Sequence, residues 1–388
     1  MSKWTFKKNK MNSVERIPVF VPSLGKDTIE HISKTIDVGW LGMGATTKEF
    51  EERIANFLDL KDRFVVSTNT ATSALHLGLR TIRIGEGDEV ITPSFNCVAD
   101  QQAIKMTGAE PVMCDILDET LGMDPEKAEM LINKNTKAIV PLHYSGIPCE
   151  QERIYKLANK HNLRVIEDCC HAFGTTINGK KLGSYGDMAI FSFDPIKTIT
   201  SIDGGCVVVN DEEEYEKIRQ MRLLGMNKEP LERHKFDPKF DYDVVTEGYR
   251  YHLNNVMASV GVSQIKRIKD IISTRRDVCK VYNQSFRDIE GLKIFNTDYE
   301  NISPFIYVVR VLNGKRELLI EHLRDKHIDT GIHWNPVHKF DQFSKSKCGD
   351  LSITEKISRE ILTLPLHSFM KKEHITRVVD GVCSFFKK

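Results

Sequence analysis

The segment 191-FSFDPIKTITSIDGG-205 places a lysine between two strand-like apolar runs. GDMAIFSF precedes Lys197, and GCVVVND begins at the second of the two glycines, Gly204 and Gly205. A lysine at the end of a buried strand is costly unless something there uses its amine. Most lone lysines in loops are simply solvated charges, so the residues around Lys197 must decide between these readings.

Apolar runs of the same kind recur through the first half of the chain. They are FVVST, DEVITPSF, AEPVMCDI, KAIVPLHY and LRVIEDCC, followed by the two runs that flank Lys197. Helix-like stretches such as ATSALHLGLRTI and EQERIYKLANKHN lie between several of them. Strands that are apolar throughout and alternate with helices predict an α/β fold with a mostly parallel, seven-stranded sheet between helices.

The pattern changes from about Glu213. Long charged helical stretches appear, and they are followed by strand-like FIYVVRVL, helical KRELLIEHLRDKH and a last helix after Lys371. With 388 residues the chain is long enough for more than one domain. We expect a large domain over residues 1–250 and a small C-terminal α/β domain over residues 251–388.

Composition narrows the classes of function. The formal charge of +1 argues against electrostatically driven binding to nucleic acid. No apolar run approaches the ~18 residues that span a bilayer, and no signal-peptide core is evident near the start. The nine cysteines include no C-x-x-C pair, which is typical of reduced thiols. We therefore expect a cytoplasmic protein without a membrane segment or a metal site.

Polar residues follow the ends of three predicted strands. A Thr/Ser-rich segment, 68–73, opens a helix and suits a phosphate. Asp168 ends another run, and Ser192 and Lys197 follow a third. Ligands bind at the carboxyl ends of strands in open parallel sheets. Pyridoxal phosphate needs these groups together: a lysine for its aldehyde, a carboxylate for its ring nitrogen and a helix start for its phosphate.

Several longer segments carry a resemblance to a known family. They are GWLGMGATTKEFEERIANFL, STNTATSALHLGLR, GDEVITPSFNCVADQQAIKMTGAEPVMCDI, NTKAIVPLHYSGIPCE, EDCCHAFGTTINGKKLGSYGDMAIFSFDPIKTITSIDGGCVVVND, GYRYHLNNVMASVGVSQIKRI, GIHWNPVH and ILTLPLH. In this order they closely resemble the DegT/DnrJ/EryC1/StrS sugar aminotransferases. Those enzymes have the aspartate aminotransferase-like fold-type I of pyridoxal-phosphate enzymes, and the resemblance spans nearly the whole chain.

The resemblance implies a role for each matching position. Lys197 would form the internal aldimine with the cofactor and later shuttle the proton, and Asp168 would pair with the pyridinium nitrogen. His171 would lie beside the ring hydroxyl. The phosphate would contact Ser192 and the pair Ala71 and Thr72.

Other positions differ from the residues common in the family or match the subunit interface of family members. Family members are typically homodimers with the active site at the interface, and the segment 248–252 matches the region that reaches across. There Arg250 replaces a common Asn, and a cation suits a dianionic phosphate. Cys97 stands where family members often have an aromatic residue that stacks on the cofactor ring. Whether the Cys97 sulfur takes the place of that aromatic residue stays open.

For the substrate, the resemblance identifies regions of the chain rather than roles for single residues. Trp40, His333 and His338 fall in regions near the sugar substrate. Two acids, Asp194 and Asp203, replace other residues common in the family.

The resemblance implies an aminotransferase that converts a nucleotide-linked keto sugar to an amino sugar, with L-glutamate as donor and 2-oxoglutarate as product. Alternatives are a lyase or desulfurase, for which Cys348 is the only superficial candidate nucleophile, and a non-catalytic pyridoxal-phosphate-binding regulator. A nicotinamide-binding protein is disfavoured because no G-x-G-x-x-G follows the first strand. The nucleotide, the sugar and the aminated carbon stay open.

Overall fold

The protein is described by a computed structural model over residues 15–229, 242–295 and 297–387. The described helices are α1 (Lys26–Val38), α2 (Ala45–Leu58), α3 (Ala71–Thr81), α4 (Ala99–Met106), α5 (Pro125–Leu131), α6 (Gln151–His161), α7 (Glu212–Met221), α8 (Asn255–Lys266), α9 (Ile268–Phe286), α10 (Arg316–Asp325), α11 (Ser352–Glu360) and α12 (Lys372–Phe386). The described strands are β1 (Phe64–Thr68), β2 (Glu89–Pro93), β3 (Glu110–Cys114), β4 (Thr136–Ile139), β5 (Arg164–Asp168), β6 (Thr176–Ile177), β7 (Lys180–Lys181), β8 (Met188–Ser192), β9 (Gly205–Val209), β10 (Leu292–Ile294), β11 (Tyr307–Val311) and β12 (Ile361–Leu364). None of the helices in these ranges is long and apolar enough to cross a bilayer.

The central sheet has seven strands in the order β1-β9-β8-β5-β4-β2-β3. The pairs from β8 to β3 are all parallel, whereas β9 runs antiparallel to both of its neighbours. Six strands therefore point the same way, and only β9 is reversed. The predicted α/β fold with a mostly parallel seven-stranded sheet is confirmed.

Both faces of the sheet are buried, which explains the continuous apolar runs. In β8, Ala189 and Phe191 pack into one core with Phe50 of α2, while Met188 and Ile190 pack into the opposite core. Successive strand side chains point to opposite faces, so a strand covered on both sides must be apolar at every position. Helices α2 and α8 cover one face and α3 covers the other.

A second, three-stranded antiparallel sheet has the order β10-β11-β12. Its core includes residues of α9, α10 and α12. It also includes Ile17, a residue near the start of the chain that forms a β-bridge with Ile328. Helix α9 connects the two cores: Ile268 and Ile272 pack into the large core, and Phe286 packs into the small one. The division of the chain after residue 250 stays a prediction.

Candidate active site

Most of the predicted site residues surround one cavity of about 300 Å³. It lies where β1, β5 and β8 end, because these strands point the same way and finish at one edge of the sheet. Seven predicted residues line it: Ala71, Thr72, Cys97, Asp168, His171, Ser192 and Lys197. The structure thus brings together residues more than a hundred positions apart.

One end of the cavity is formed by the first turn of α3. The Thr70 side chain caps this helix by accepting a hydrogen bond from Ser73 N at 3.0 Å. Among the described residues, no acceptor is assigned to the N–H groups of Ala71 and Thr72. Unpaired N–H groups at a helix start attract an anion, and the helix dipole adds to this attraction. With the Ser192 hydroxyl on the same cavity, this end is suited to a phosphate.

The loop that carries Lys197 is closed by its own polar side chains. Phe193 N donates to Gly204 O at 2.8 Å, and the Thr200 hydroxyl donates back to Phe193 O at 3.0 Å. Within the loop, Asp194 O accepts a hydrogen bond from Lys197 N at 3.1 Å. The Thr- and Asp-rich composition therefore serves to fix a tight loop that presents the lysine at the cavity.

The Lys197 amine lies against an aromatic ring rather than a carboxylate. Its Nζ is 4.2 Å from the centre of the Phe305 ring, a favourable cation–π geometry. No carboxylate in the described part of the chain forms an ion pair with it. Phe305 lies two residues before strand β11, so the segment that leads into the small sheet packs beside the lysine.

Asp168 is the last residue of β5 and is only 4% exposed. Its Oδ1 accepts a hydrogen bond from Cys170 N at 2.9 Å, which fixes the carboxylate at the cavity. Burial and the neighbouring Asp168 raise the pKa of the Cys170 thiol well above its usual value. The thiol therefore stays neutral, and Asp168 is an acid on this cavity.

His171 is held neutral beside Asp168. Burial and the nearby Lys197 charge lower the pKa of its imidazole well below the usual value. Ser145 N donates to His171 Nδ1 at 3.4 Å, so the ring proton is carried on Nε2. The ring packs 4.5 Å from Phe305 and 6.0 Å from Trp334, between centroids. His171 can thus donate one hydrogen bond to a group in the cavity.

The lining residues that the sequence did not identify include Trp334, Asn96 and Asp100. Trp334 lies within the motif GIHWNPVH, between His333 and His338, and this motif is the signal that could have identified it. Asn96 and Asp100 were available within the motif that contains Cys97. Burial raises the pKa of the Cys97 thiol, so this side chain presents a neutral sulfur to the cavity.

Four other predicted residues do not line this cavity. Trp40 lines a different one, of about 410 Å³, where its Nε1 donates to Met43 O at 3.0 Å. Arg250 is exposed and pairs through its backbone with Leu223. His338 Nδ1 lies 2.8 Å from Ser94 Oγ.

His333 is the nearest of the four to the cavity. Its ring packs 4.8 Å from the Trp334 ring, between centroids. Its Nδ1 lies 2.8 Å from the Thr363 hydroxyl. Burial and the Lys197 charge lower the pKa of this imidazole to about 4, so at neutral pH it is uncharged. The substrate roles of Trp40, His333 and His338 stay predictions.

Two other features, an exposed cysteine and a buried cluster of possible metal ligands, are separate from the cavity. Cys348 is exposed and does not line it. Within the described residues, one buried group offers three possible metal ligands, His143, Glu167 and Cys169. The Glu167 carboxylate already accepts hydrogen bonds, from His143 Nε2 at 2.8 Å and the Tyr155 hydroxyl at 2.7 Å. Hydrogen bonding accounts for this group.

The α/β fold with a mostly parallel seven-stranded sheet is that of fold-type I pyridoxal-phosphate enzymes, and solved sugar aminotransferases share it. The chain belongs to the DegT/DnrJ/EryC1/StrS aminotransferase family, whose model matches residues 22–383. The family resemblance drawn from the sequence is confirmed, as is the expectation of a transaminase.

Curated and solved relatives agree with this assignment. The chain is 33% identical to the spore coat polysaccharide biosynthesis protein SpsC of Bacillus subtilis, over 96% of this chain and 97% of SpsC. It is 30% identical to the aminotransferase TlmJ of Streptoalloteichus hindustanus, with a TM-score of 0.87 and coverage of 95% and 98%. It is 27% identical to the PLP-form of the putative sugar aminotransferase Spr1654 of Streptococcus pneumoniae, with a TM-score of 0.88 and coverage of 96% and 98%.

Proposed function

We propose that the protein transfers the amino group of L-glutamate to the keto group of a nucleotide-linked sugar, with pyridoxal phosphate bound covalently to Lys197. The observation that carries the proposal is the convergence of Lys197, Asp168 and the start of α3 on one cavity. These groups match the aldehyde, the ring nitrogen and the phosphate of this cofactor. A sugar aminotransferase from this family and a relative in polysaccharide biosynthesis support the substrate class.

Pyridoxal phosphate, when bound, supplies a conjugated ring that accepts the electron pair released when a proton leaves the donor's α-carbon. Within residues 15–229, 242–295 and 297–387, Lys197 is the only lysine that lines the cavity. Lys197 would hold the cofactor through its aldehyde and would carry the proton that leaves the donor's α-carbon. The Phe305 ring packs beside this amine, with its centre 4.2 Å from Nζ.

Asp168 and His171 bind the two edges of the ring in this proposal. The Asp168 carboxylate keeps the ring nitrogen protonated, which is what makes the ring an electron acceptor. Neutral His171 donates its Nε2–H to the ring oxygen. Cys97 and Trp334 line the same cavity and offer surfaces to the ring faces.

The phosphate is bound by the N–H groups of Ala71 and Thr72 and by the Ser192 hydroxyl. An ordinary residue such as Ala71 serves here because the group it offers is a backbone N–H with normal helical geometry. We further propose a homodimer in which Arg250 of each chain reaches the phosphate of the other. Exposure of Arg250 outside its own cavity supports this assignment.

The sugar side of the site is assigned to Trp40, His333 and His338. His333 is best supported, because its neutral ring packs on Trp334 at the cavity. The large domain then supplies the cofactor site and the small C-terminal domain supplies one wall, with residues 1–250 and 251–388 as the proposed division. We place the reaction in the cytoplasm.

The experiment is a substrate panel. Purified protein loaded with pyridoxal phosphate is mixed with L-glutamate and nucleotide-linked keto sugars that differ in nucleotide and in ketone position, carbon 3 or carbon 4. Formation of 2-oxoglutarate together with an amino sugar, identified by mass spectrometry, supports the proposal. Release of sulfide from cysteine, or a bound chromophore that glutamate leaves unchanged, would instead support the desulfurase or the regulator.

A further inference from the structure

A second buried acid lies beside Asp168. Asp100 is the second residue of α4, is 4% exposed and lines the same cavity. Asp168 lines this cavity as well, and its charge acts directly on Asp100. Two neighbouring buried carboxylates cannot both be ionised without a large electrostatic cost. The pair therefore has a lower free energy when it shares one proton.

Asn96 determines which oxygen of Asp100 carries the proton. Cys97 N donates to Asn96 Oδ1 at 2.6 Å, so the Asn96 amide nitrogen must face the other way. That nitrogen donates to Asp100 Oδ2 at 2.7 Å. Oδ2 is therefore an acceptor, and Oδ1 is left to bear a hydroxyl that can donate to Asp168.

The charged and titratable groups around Asp100 agree with a neutral acid. Asp168, Cys97 and Cys170 bear no positive charge, and Lys197 is a cation that acts on Asp100 in the opposite sense. Burial and the Asp168 charge raise the pKa of Asp100 well above its usual value. The start of α4 favours an anion, but this effect is smaller than the electrostatic cost of an uncompensated buried carboxylate.

We propose that Asp100 is a positioning residue, a protonated carboxyl group that donates a hydrogen bond to Asp168 and holds the Asp168 carboxylate ionised toward the ring nitrogen of the cofactor. The part that concerns the cofactor rests on the proposed function. The shared proton itself does not, since the two acids and Asn96 meet in the protein alone.

Infrared spectroscopy of the cofactor-free protein tests the shared proton directly. A protonated carboxylic acid has a carbonyl stretch that carboxylates lack, and we expect this band at neutral pH in the wild type. Asp100→Asn should remove it. Asp115→Asn is the matched control: Asp115 is also buried, but hydrogen bonds from Lys127 and Thr354 outweigh burial and lower its pKa, so the band should survive. A missing band, or one that Asp100→Asn leaves intact, overturns the proposal.

Cofactor affinity tests the positioning role. Asp100→Asn keeps a neutral donor of the same shape, so binding of pyridoxal phosphate should stay within about 3-fold of wild type, because the hydrogen bond to Asp168 is preserved. Asp100→Ala removes the donor and should weaken binding about 10-fold or more, the usual effect of losing a hydrogen bond to a charged group. Circular dichroism verifies folding. Wild-type affinity in folded Asp100→Ala overturns the role, whereas failure of the wild type to bind cofactor counts against the proposed function.

Discussion

Gly205 lies directly against the first turn of α3. A Cβ atom on residue 205 would fall 2.5 Å from Ala71 N and 2.6 Å from Ala71 Cα. Strand β9 and the helix start can approach this closely only because residue 205 has no side chain. The glycine pair that ends the Lys197 loop thus sets the position of the N–H groups assigned to the phosphate.

Gly205→Ala should displace the start of α3. We expect a loss of about 1–3 kcal/mol in the free energy of unfolding, typical of overpacking, and weaker binding of pyridoxal phosphate measured by fluorescence titration. Gly85→Ala is the matched control, because a Cβ there meets nothing closer than 3.9 Å. Equal cofactor affinity in the Gly205 and Gly85 variants would contradict the role of this close approach.

Lys197→Ala should abolish turnover while the fold persists. Loss of the amine removes both the covalent anchor and the proton carrier, so we expect a fall of more than about 1000-fold in kcat. Lys181→Ala is the matched control, since Lys181 also lies over a phenylalanine ring, Phe57, at 5.2 Å but outside the cavity. Thermal unfolding should be similar for both variants. Transamination near the wild-type rate in the Lys197 variant would refute the assignment.

The strands and the rim of the site could be predicted because their signals are local. A buried strand must be apolar at every position, and Asp168, Ser192 and Lys197 follow such runs directly in the sequence. Asp100 could not be recognised in this way. It lies in the first turn of a short helix, where an acid is ordinary, and only the folded chain brings it to Asp168.

The parts of the site that depend on where the small sheet packs could not be predicted from the sequence. Phe305 and Trp334 reach the cavity from segments more than a hundred residues after Lys197, and no periodicity in the sequence indicates that approach. The helical pattern that follows residue 253 forms two helices, α8 and α9, with a break at Arg267. Ile17 packs with the small sheet although it precedes the large one, a pairing that only tertiary structure determines.

Stability should fall as the pH drops from about 6.5 toward 4. His333 and His367 both have pKa values lowered to about 4, mainly by burial, so the unfolded chain takes up protons before the folded one does. Their stabilising contribution is complete above the unfolded value and is lost as the pH falls through this window.

His333→Gln should remove part of that acid sensitivity, because glutamine can bond Thr363 but does not titrate. We expect the wild type to lose on the order of 1 kcal/mol more than the variant between pH 7 and pH 5, discounted for the partial exposure of the ring. Urea unfolding at the two pH values measures this. Identical pH dependence in both proteins would show that His333 is not held neutral by the fold.

Mixed dimers test the role assigned to Arg250. If Arg250 serves the neighbouring chain's phosphate, Arg250→Ala and Lys197→Ala each impair both sites of their own homodimers. A mixed dimer of the two then contains one site with both residues intact. Co-expression with two affinity tags isolates that species, and we expect it to regain activity. No recovery in the purified mixed dimer would contradict a cross-subunit role.

The covalent bond between Lys197 and the cofactor is the central claim, and reduction with borohydride tests it most directly. The protein is saturated with pyridoxal phosphate, reduced, digested and mapped by mass spectrometry. We expect the pyridoxyl label on the peptide that contains Lys197 and nowhere else in stoichiometric amount. A label on a different lysine, or no label in the cofactor-saturated protein, would contradict the account.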